Sequence, residues 1–290
     1  MRALLAGYTD EFDAFARGLL DLGWELIATS GTHRALSEAG IAVTSVAELT
    51  GSPEMLGGRV RTLHPKVHGG ILFRRGLAED ERDVEEHDLR SIDLVACNLY
   101  PFEQTVLATG SSGDIADVAL ADALEQIDIG GVALLRAAAK NHRSVVPLVD
   151  PADYAAVLEV LRGGGLGEEQ RRELAAKTFA HTARYDAMVA EYLRGEEAAL
   201  PEQLTIAMTR RELLRYGENP HQRGAFYTFD SVHTPVEGVG AYEQHHGLAL
   251  SYVNILDAGA AFDLVVEFEQ PAVAIIKHTN PACFATGDED

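Results

Sequence analysis

Five short apolar runs, most of them separated by a helical pattern, leave this chain few folds to choose from. RALLAG (2–7), WELIATS (24–30), IAVTSV (41–46), IDLVACNLY (92–100) and SVVPLV (144–149) each read as a strand. Between the first two, Phe12, Phe15, Ala16, Leu19 and Leu20 recur at helical spacing and reach Gly23, a natural stop. THRALSEAG (32–40), DVALADALEQI (117–127) and GVALLRAAAK (131–140) read as further helices. IDLVACNLY is nearly all apolar, as a central parallel strand must be when both its faces are covered. Alternation of this kind dictates an α/β fold, a parallel sheet with helices on both faces and right-handed crossovers.

From residue 150 the pattern changes. DPADYAAVLEVLRGGG (150–165) is a helix starting at Asp150-Pro151 and stopped by three glycines. GEEQRRELAAKTFAHTARYDAMVAEYLRG (167–195) is one long amphipathic helix, with Leu174, Phe179, Tyr185, Met188 and Tyr192 among its apolar positions. The expected division is a first domain over 1–194, a linker over 195–203 and a second domain over 204–290. In the second, AVAII (272–276) reads as a short buried strand, followed by Lys277-His278 and a turn built on Asn280-Pro281. Lys-His at the carboxyl end of a strand is where this fold class places working groups.

Charge narrows the partners. The 290 residues carry a formal net charge of −21, which repels nucleic acid and anionic membrane surfaces. No apolar run approaches the ~20 residues that span a bilayer, and the N-terminus has no secretory pattern. Two cysteines, Cys97 and Cys283, give no disulfide framework, so a cytoplasmic setting is expected. Against this acidity, residues 55–78 carry Arg59, Arg61, Lys66, Arg74 and Arg75 with no acidic residue, and 129–149 carry Arg136, Lys140 and Arg143 with none. Either a pocket for a small anion or a solvated basic face accounts for such stretches.

Several stretches bear chemistry. Thr29, Ser30, Gly31 and Thr32 lie between a strand and a helix start, where hydroxyls and unpaired N–H groups suit a phosphate, although a plain Ser/Thr N-cap fits as well. Arg59 and Arg61 stand two apart, so in an extended segment both project to one side. His64 and His68 raise the question of a metal, but Pro65 between them disfavours a helix presenting both, and no metal is expected. Gly130-Gly131 opens a helix that carries Lys140 about three turns on, with Asp128 just before the glycines, where negative charge is favoured. Asn98 and Tyr100 follow Cys97 at the end of the central strand.

PEMLGGRVRTLHPKVHGGIL (53–72), VACNLYPF (95–102), EQIDIGGVALLRAAAKNH (125–142), HTARYD (181–186), LRYGENPHQ (214–222) and KHTNP (277–281) occur here in order. Over nearly its whole length the chain thereby resembles the bifunctional purine-biosynthesis family that joins phosphoribosylaminoimidazolecarboxamide formyltransferase to inosine monophosphate cyclohydrolase. The resemblance implies a methylglyoxal-synthase-like first domain and the start of a cytidine-deaminase-like formyltransferase domain. It implies transfer of a formyl group from 10-formyltetrahydrofolate, as cosubstrate, to the aminoimidazole ribonucleotide, then ring closure to inosine monophosphate with loss of water and no cofactor. It places Lys140, Asp128 and Tyr100 at the reacting groups, with Arg61 beside them. Thr29, Ser30, Gly31, Thr32, Arg59, Thr62, Cys97, Asn98, Gly130 and Gly131 hold the nucleotide. For formyl transfer it assigns Lys277 and His278 to catalysis and Arg215, Tyr216 and Asn280 to the nucleotide. It also implies a homodimer.

The chain departs from the family in two places. Arg61 stands where lysine is common; it keeps the charge but cannot act as a titratable base. The segment AGYTDEF (6–12) lacks the family's usual phosphate-contacting pattern. The family extends well past KHTNP, so the expectation is a chain cut within its formyltransferase domain, with ring closure retained and formyl transfer lost. A methylglyoxal-synthase-like lyase and a nucleotide-sensing regulatory module are the competing readings on this fold.

Overall fold

The computed structural model describes residues 1–7, 11–99, 102–108, 117–194, 200–232 and 236–287. These form two compact units, Met1–Val189 and Ala190–Asp290. Residues 190–194, the end of one long helix, fall in the second unit, within which the carboxylate of Glu191 accepts hydrogen bonds from Ser231 Oγ (2.7 Å) and Val232 N (3.3 Å).

In the first unit, strands β1 (Arg2–Ala6), β2 (Glu25–Ala28), β3 (Thr44–Ser45), β4 (Leu94–Cys97) and β5 (Val146–Leu148) form one parallel sheet in the order β3-β2-β1-β4-β5. Helices α1 (Glu11–Asp21), α2 (Ser30–Glu38), α3 (Val46–Thr50), α4 (Pro65–Leu72), α5 (Ala78–Glu86), α6 (Phe102–Ala108), α7 (Asp117–Glu125), α8 (Gly130–Lys140), α9 (Tyr154–Arg162) and α10 (Glu168–Arg194) surround it. Alternation along β1 shows how two faces are covered. Ala3 and Leu5 pack with Phe12, Phe15, Leu19, Tyr154 and Leu158 of α1 and α9. Leu4 and Ala6 pack with Val67, Ile71, Leu134 and Leu135 of α4 and α8. Pro147 lies in β5, an edge strand, where its missing N–H costs no ladder bond.

Two local expectations change. The third strand shrinks to Thr44–Ser45 because Ser45 caps α3 in a capping box, its Oγ accepting from Glu48 N (3.1 Å) and its own N donating to Glu48 Oε2 (2.9 Å). The expectation that Pro65 keeps His64 and His68 off one helix changes as well: His68 follows one turn after His64, its N–H donating to the His64 carbonyl (3.0 Å). His64 is the N-cap of α4, its Nδ1 accepting from Lys66 N (3.1 Å), with Pro65 opening the helix.

The second unit contains two antiparallel pairs, β6 (Met208–Leu214) with β7 (Gly224–Phe229) and β8 (Ala272–Lys277) with β9 (Asn280–Thr286), together with α11 (Tyr252–Val265). The expected buried strand at 272–276 is not buried: Val273 is 64% and Ile275 58% exposed. A two-stranded hairpin packs one face only, here against α11, so alternate side chains face outward. The turn also lies earlier than expected. It consists of His278 and Thr279, at φ 51° and 63°, with Lys277 paired to Asn280, so Asn280-Pro281 begins β9. A left-handed threonine is costly; Asp257 Oδ1 accepts from its N–H (2.8 Å) and holds it.

Candidate functional site

The sheet order places a switch point between β1 and β4, where chain connections depart in opposite directions and a crevice opens beyond the carboxyl ends of the strands. A cavity of about 770 Å³ lies there. Its lining includes Ala6 at the end of β1 with Gly7 just past it, Thr29 after β2, and Cys97 at the end of β4 with Asn98 just past it, together with Arg59, Arg61, Thr62, Asp128, Gly130 and Gly131. Gly7 is held at φ 73°, and a Cβ there would overlap the Asn98 carbonyl, so this close approach of β1 and β4 requires glycine.

The turn before α8 is built around Asp128. Its Oδ1 accepts from Gly131 N at 2.6 Å, and its own N–H donates to Tyr185 Oη at 2.8 Å. Tyr185, 8% exposed on α10, donates in turn to the Gln126 carbonyl at 3.1 Å. One phenol thus clamps both sides of the turn. Burial pushes the Tyr185 phenol up, so it stays protonated through the neutral range. Gly131 is fixed by contact: a Cβ would lie 2.5 Å from Asp128 Oδ2 and 2.9 Å from Cys97 Sγ. Gly130 faces Thr62, whose Oγ1 would be 2.6 Å from its Cβ. Cys97 is fully buried, and burial followed by the Asp128 charge raises its thiol well above the usual range, so it is a neutral wall and no nucleophile.

Tyr154 Oη donates to Asn98 Oδ1 at 3.0 Å. Tyr154 is buried and stacked on Phe15, and burial raises its phenol. With Oδ1 engaged, the Asn98 amide nitrogen is the end left to donate elsewhere.

Thr29 lines the cavity as the N-cap of α2 but makes no side-chain capping bond; its Oγ1 meets buried Thr32 Oγ1 at 3.3 Å. Ser30 and Gly31 are exposed. Arg59 and Arg61 do share the cavity, though by another route than expected. The segment is a series of turns, with Arg61 N bonded to Gly58 O (3.3 Å) after a 3-10 turn at Leu56–Gly58, so extended alternation is not what aligns them. The acid-free stretch is also acid-free only along the chain. In space Arg59 pairs with Glu125, Arg61 with Glu54 (2.6 Å), Lys66 with Asp88 (3.5 Å), Arg74 with Asp80 (2.6 Å) and Arg75 with Asp93 (2.8 Å).

The MGS-like domain model matches residues 11–133, and the AICARFT/IMPCHase bienzyme model matches residues 138–290. The chain belongs to the AICARFT/IMPCHase bienzyme family. It is therefore a member of a purine-biosynthesis enzyme family, with an MGS-like domain at its N-terminus. A solved structure described as "Crystal structure of ForH" is 42% identical at TM-score 0.57, over 67% of this chain and 98% of that one.

Not every residue expected at the site from the sequence lies in the cavity. Lys140 ends α8, ten residues and about 15 Å of helix beyond Gly130. It lines a separate hollow of about 670 Å³ with His68, Arg136, His142, Arg172 and Phe179. Tyr100 lies outside the described residues. In the second unit Lys277, His278 and Asn280 are exposed at the hairpin turn. Arg215 lies over the Tyr216 ring (4.9 Å) and donates to its hydroxyl (3.1 Å), which lowers the Tyr216 pKa.

The sequence reading gave Tyr154, Tyr185 and Glu54 no role at the site. Tyr185 was legible as an apolar helix position; the extra signal was its hydroxyl, which needs a partner when buried.

Proposed function

We propose that this chain catalyses ring closure of the formylated aminoimidazole carboxamide ribonucleotide to inosine monophosphate. One observation carries the reading: a single crevice at the switch point gathers Thr29, Arg59, Arg61, Thr62, Asn98, Asp128 and Gly130. In the reaction the carboxamide nitrogen attacks the formyl carbon and a new C–N bond forms. The former formyl oxygen passes through an oxyanion, takes up protons released by the two nitrogens, and leaves as water as the ring C=N forms. Confinement supplies much of the acceleration, because both groups belong to one molecule. The Asn98 amide nitrogen and the Gly130 N–H at the start of α8 are the donors we assign to the oxyanion. Asp128, oriented by Gly131 N, is the base we assign to the carboxamide proton. The arginines and Thr29 take the phosphate.

The same proposal includes a homodimer in the cytoplasm and 10-formyltetrahydrofolate as the family's formyl donor. For Lys277 and His278, both exposed, we infer no formyl transfer by this chain. The test is an assay of purified 290-residue chain on the formylated ribonucleotide. We expect turnover to the purine, and a fall of about a hundredfold or more in kcat for Asp128→Asn. Wild-type protein without turnover, or Asp128→Asn with full turnover, refutes the assignment. Formyl transfer to the unformylated ribonucleotide refutes the second half. The match of residues 11–133 to an MGS-like domain favours a methylglyoxal-forming lyase as the second reading; methylglyoxal from dihydroxyacetone phosphate would establish it.

A further inference from the structure

Arg61 reaches the cavity already partnered, and the geometry of that partnership is specific. Glu54 Oε1 lies 2.6 Å from Arg61 Nη2, while Glu54 Oε2 accepts from Ser30 Oγ at 2.9 Å. Ser30 is the first residue of α2, a helix whose N-cap Thr29 provides no side-chain capping bond. One carboxylate therefore bridges a guanidinium and the first hydroxyl of a helix N-terminus, the two features that together attract a phosphate. Gly58, at φ 92°, makes room for it, since a Cβ there would overlap both Arg61 Nη2 and Glu54 Oε1. Arg61 Nε is buried with no hydrogen-bond partner among the described residues, so the carboxylate leaves the guanidinium incompletely satisfied.

We propose that Glu54 is a resident stand-in for the ligand's phosphate, holding Arg61 and Ser30 while the cavity is empty and giving way when a phosphate monoester enters. This rests on the nucleotide reading above and adds to it a resident anion that the phosphate must displace. A phosphate dianion brings more charge and one more acceptor oxygen than a carboxylate, so it can displace Glu54 and reach Arg61. A nucleoside without phosphate gains nothing from displacing Glu54. The phosphorylated ligand therefore binds at a cost in affinity that the nucleoside does not bear.

Glutamine at position 54 keeps the size and removes the competing charge. Inosine monophosphate, inosine and inorganic phosphate are titrated calorimetrically into the 290-residue chain, E54Q and R61A, with thermal melts confirming that each is folded. The expected result is inosine monophosphate and inorganic phosphate binding about tenfold tighter to E54Q, inosine unchanged, and inosine monophosphate weaker on R61A. Should E54Q lose affinity as R61A does, Glu54 is a brace for Arg61 and the inference is overturned while the nucleotide reading stands. Should inosine monophosphate bind neither wild type nor E54Q, the nucleotide reading itself fails and the role of Glu54 with it.

Discussion

Replacing Tyr185 by phenylalanine removes one oxygen and leaves the ring in place against Phe102, so the effect isolates the hydroxyl. That hydroxyl accepts from Asp128 N (2.8 Å) and donates to Gln126 O (3.1 Å). Both backbone groups sit in a half-buried turn, so water can replace part of what is lost. Each bond then counts near the net value for a neutral hydrogen bond, about 1 kcal/mol, giving about 1–2 kcal/mol in all. For a unit of 189 residues, where each kcal/mol moves the midpoint by about 2–4 °C, the melting transition of the first unit should fall by about 2–8 °C. The turn also carries Asp128 into the cavity, so kcat for ring closure should fall by more than KM rises. Differential scanning calorimetry with steady-state kinetics at neutral pH reads both quantities. An unchanged melting temperature together with an unchanged kcat would show that the turn holds itself, and the clamp would have to be abandoned.

Two further outcomes follow from the same geometry. Gly131→Ala puts a methyl 2.5 Å from Asp128 Oδ2 and 2.9 Å from Cys97 Sγ, so the carboxylate must move; a loss of about a hundredfold in kcat/KM is expected, and near-normal kinetics would remove Asp128 from the reaction. Burial lowers the pKa values of His68 and His181, so the unfolded chain binds their protons more readily than the folded one. Stability is then indifferent to these groups well above the ordinary histidine value of about 6.5 and declines as pH falls through it. Denaturant midpoints recorded between about pH 8 and pH 5.5 should show that decline, and the H68Q/H181Q double variant should flatten it; an equal slope in both proteins would refute the assignment.

The parallel sheet was readable before any coordinate, because strand–helix alternation and near-continuous apolar strands leave one arrangement that buries both faces. That Asp128, Gly130, Gly131, Asn98 and Arg59 belong to motifs with informative chemistry was readable too, and these five line one cavity. The short third strand was misjudged although Ser45 and Glu48 already stood at capping-box spacing. The hairpin at His278-Thr279 gave no such sign, since a left-handed threonine is uncommon and one of the contacts that sustain it comes from Asp257, far along the chain.

Sequence alone determined that this chain is an α/β protein of a purine-biosynthesis enzyme family, because periodicity and motif are properties of neighbouring residues. Tertiary structure decided which charges are spent on one another, and which member of a motif reaches the cavity. Glu54 and Glu125 neutralise arginines that look unopposed along the chain, and α8 carries Lys140 a full helix length from Gly130. Electrostatic pairing and hydrogen bonding act through space, and a linear order cannot state those distances.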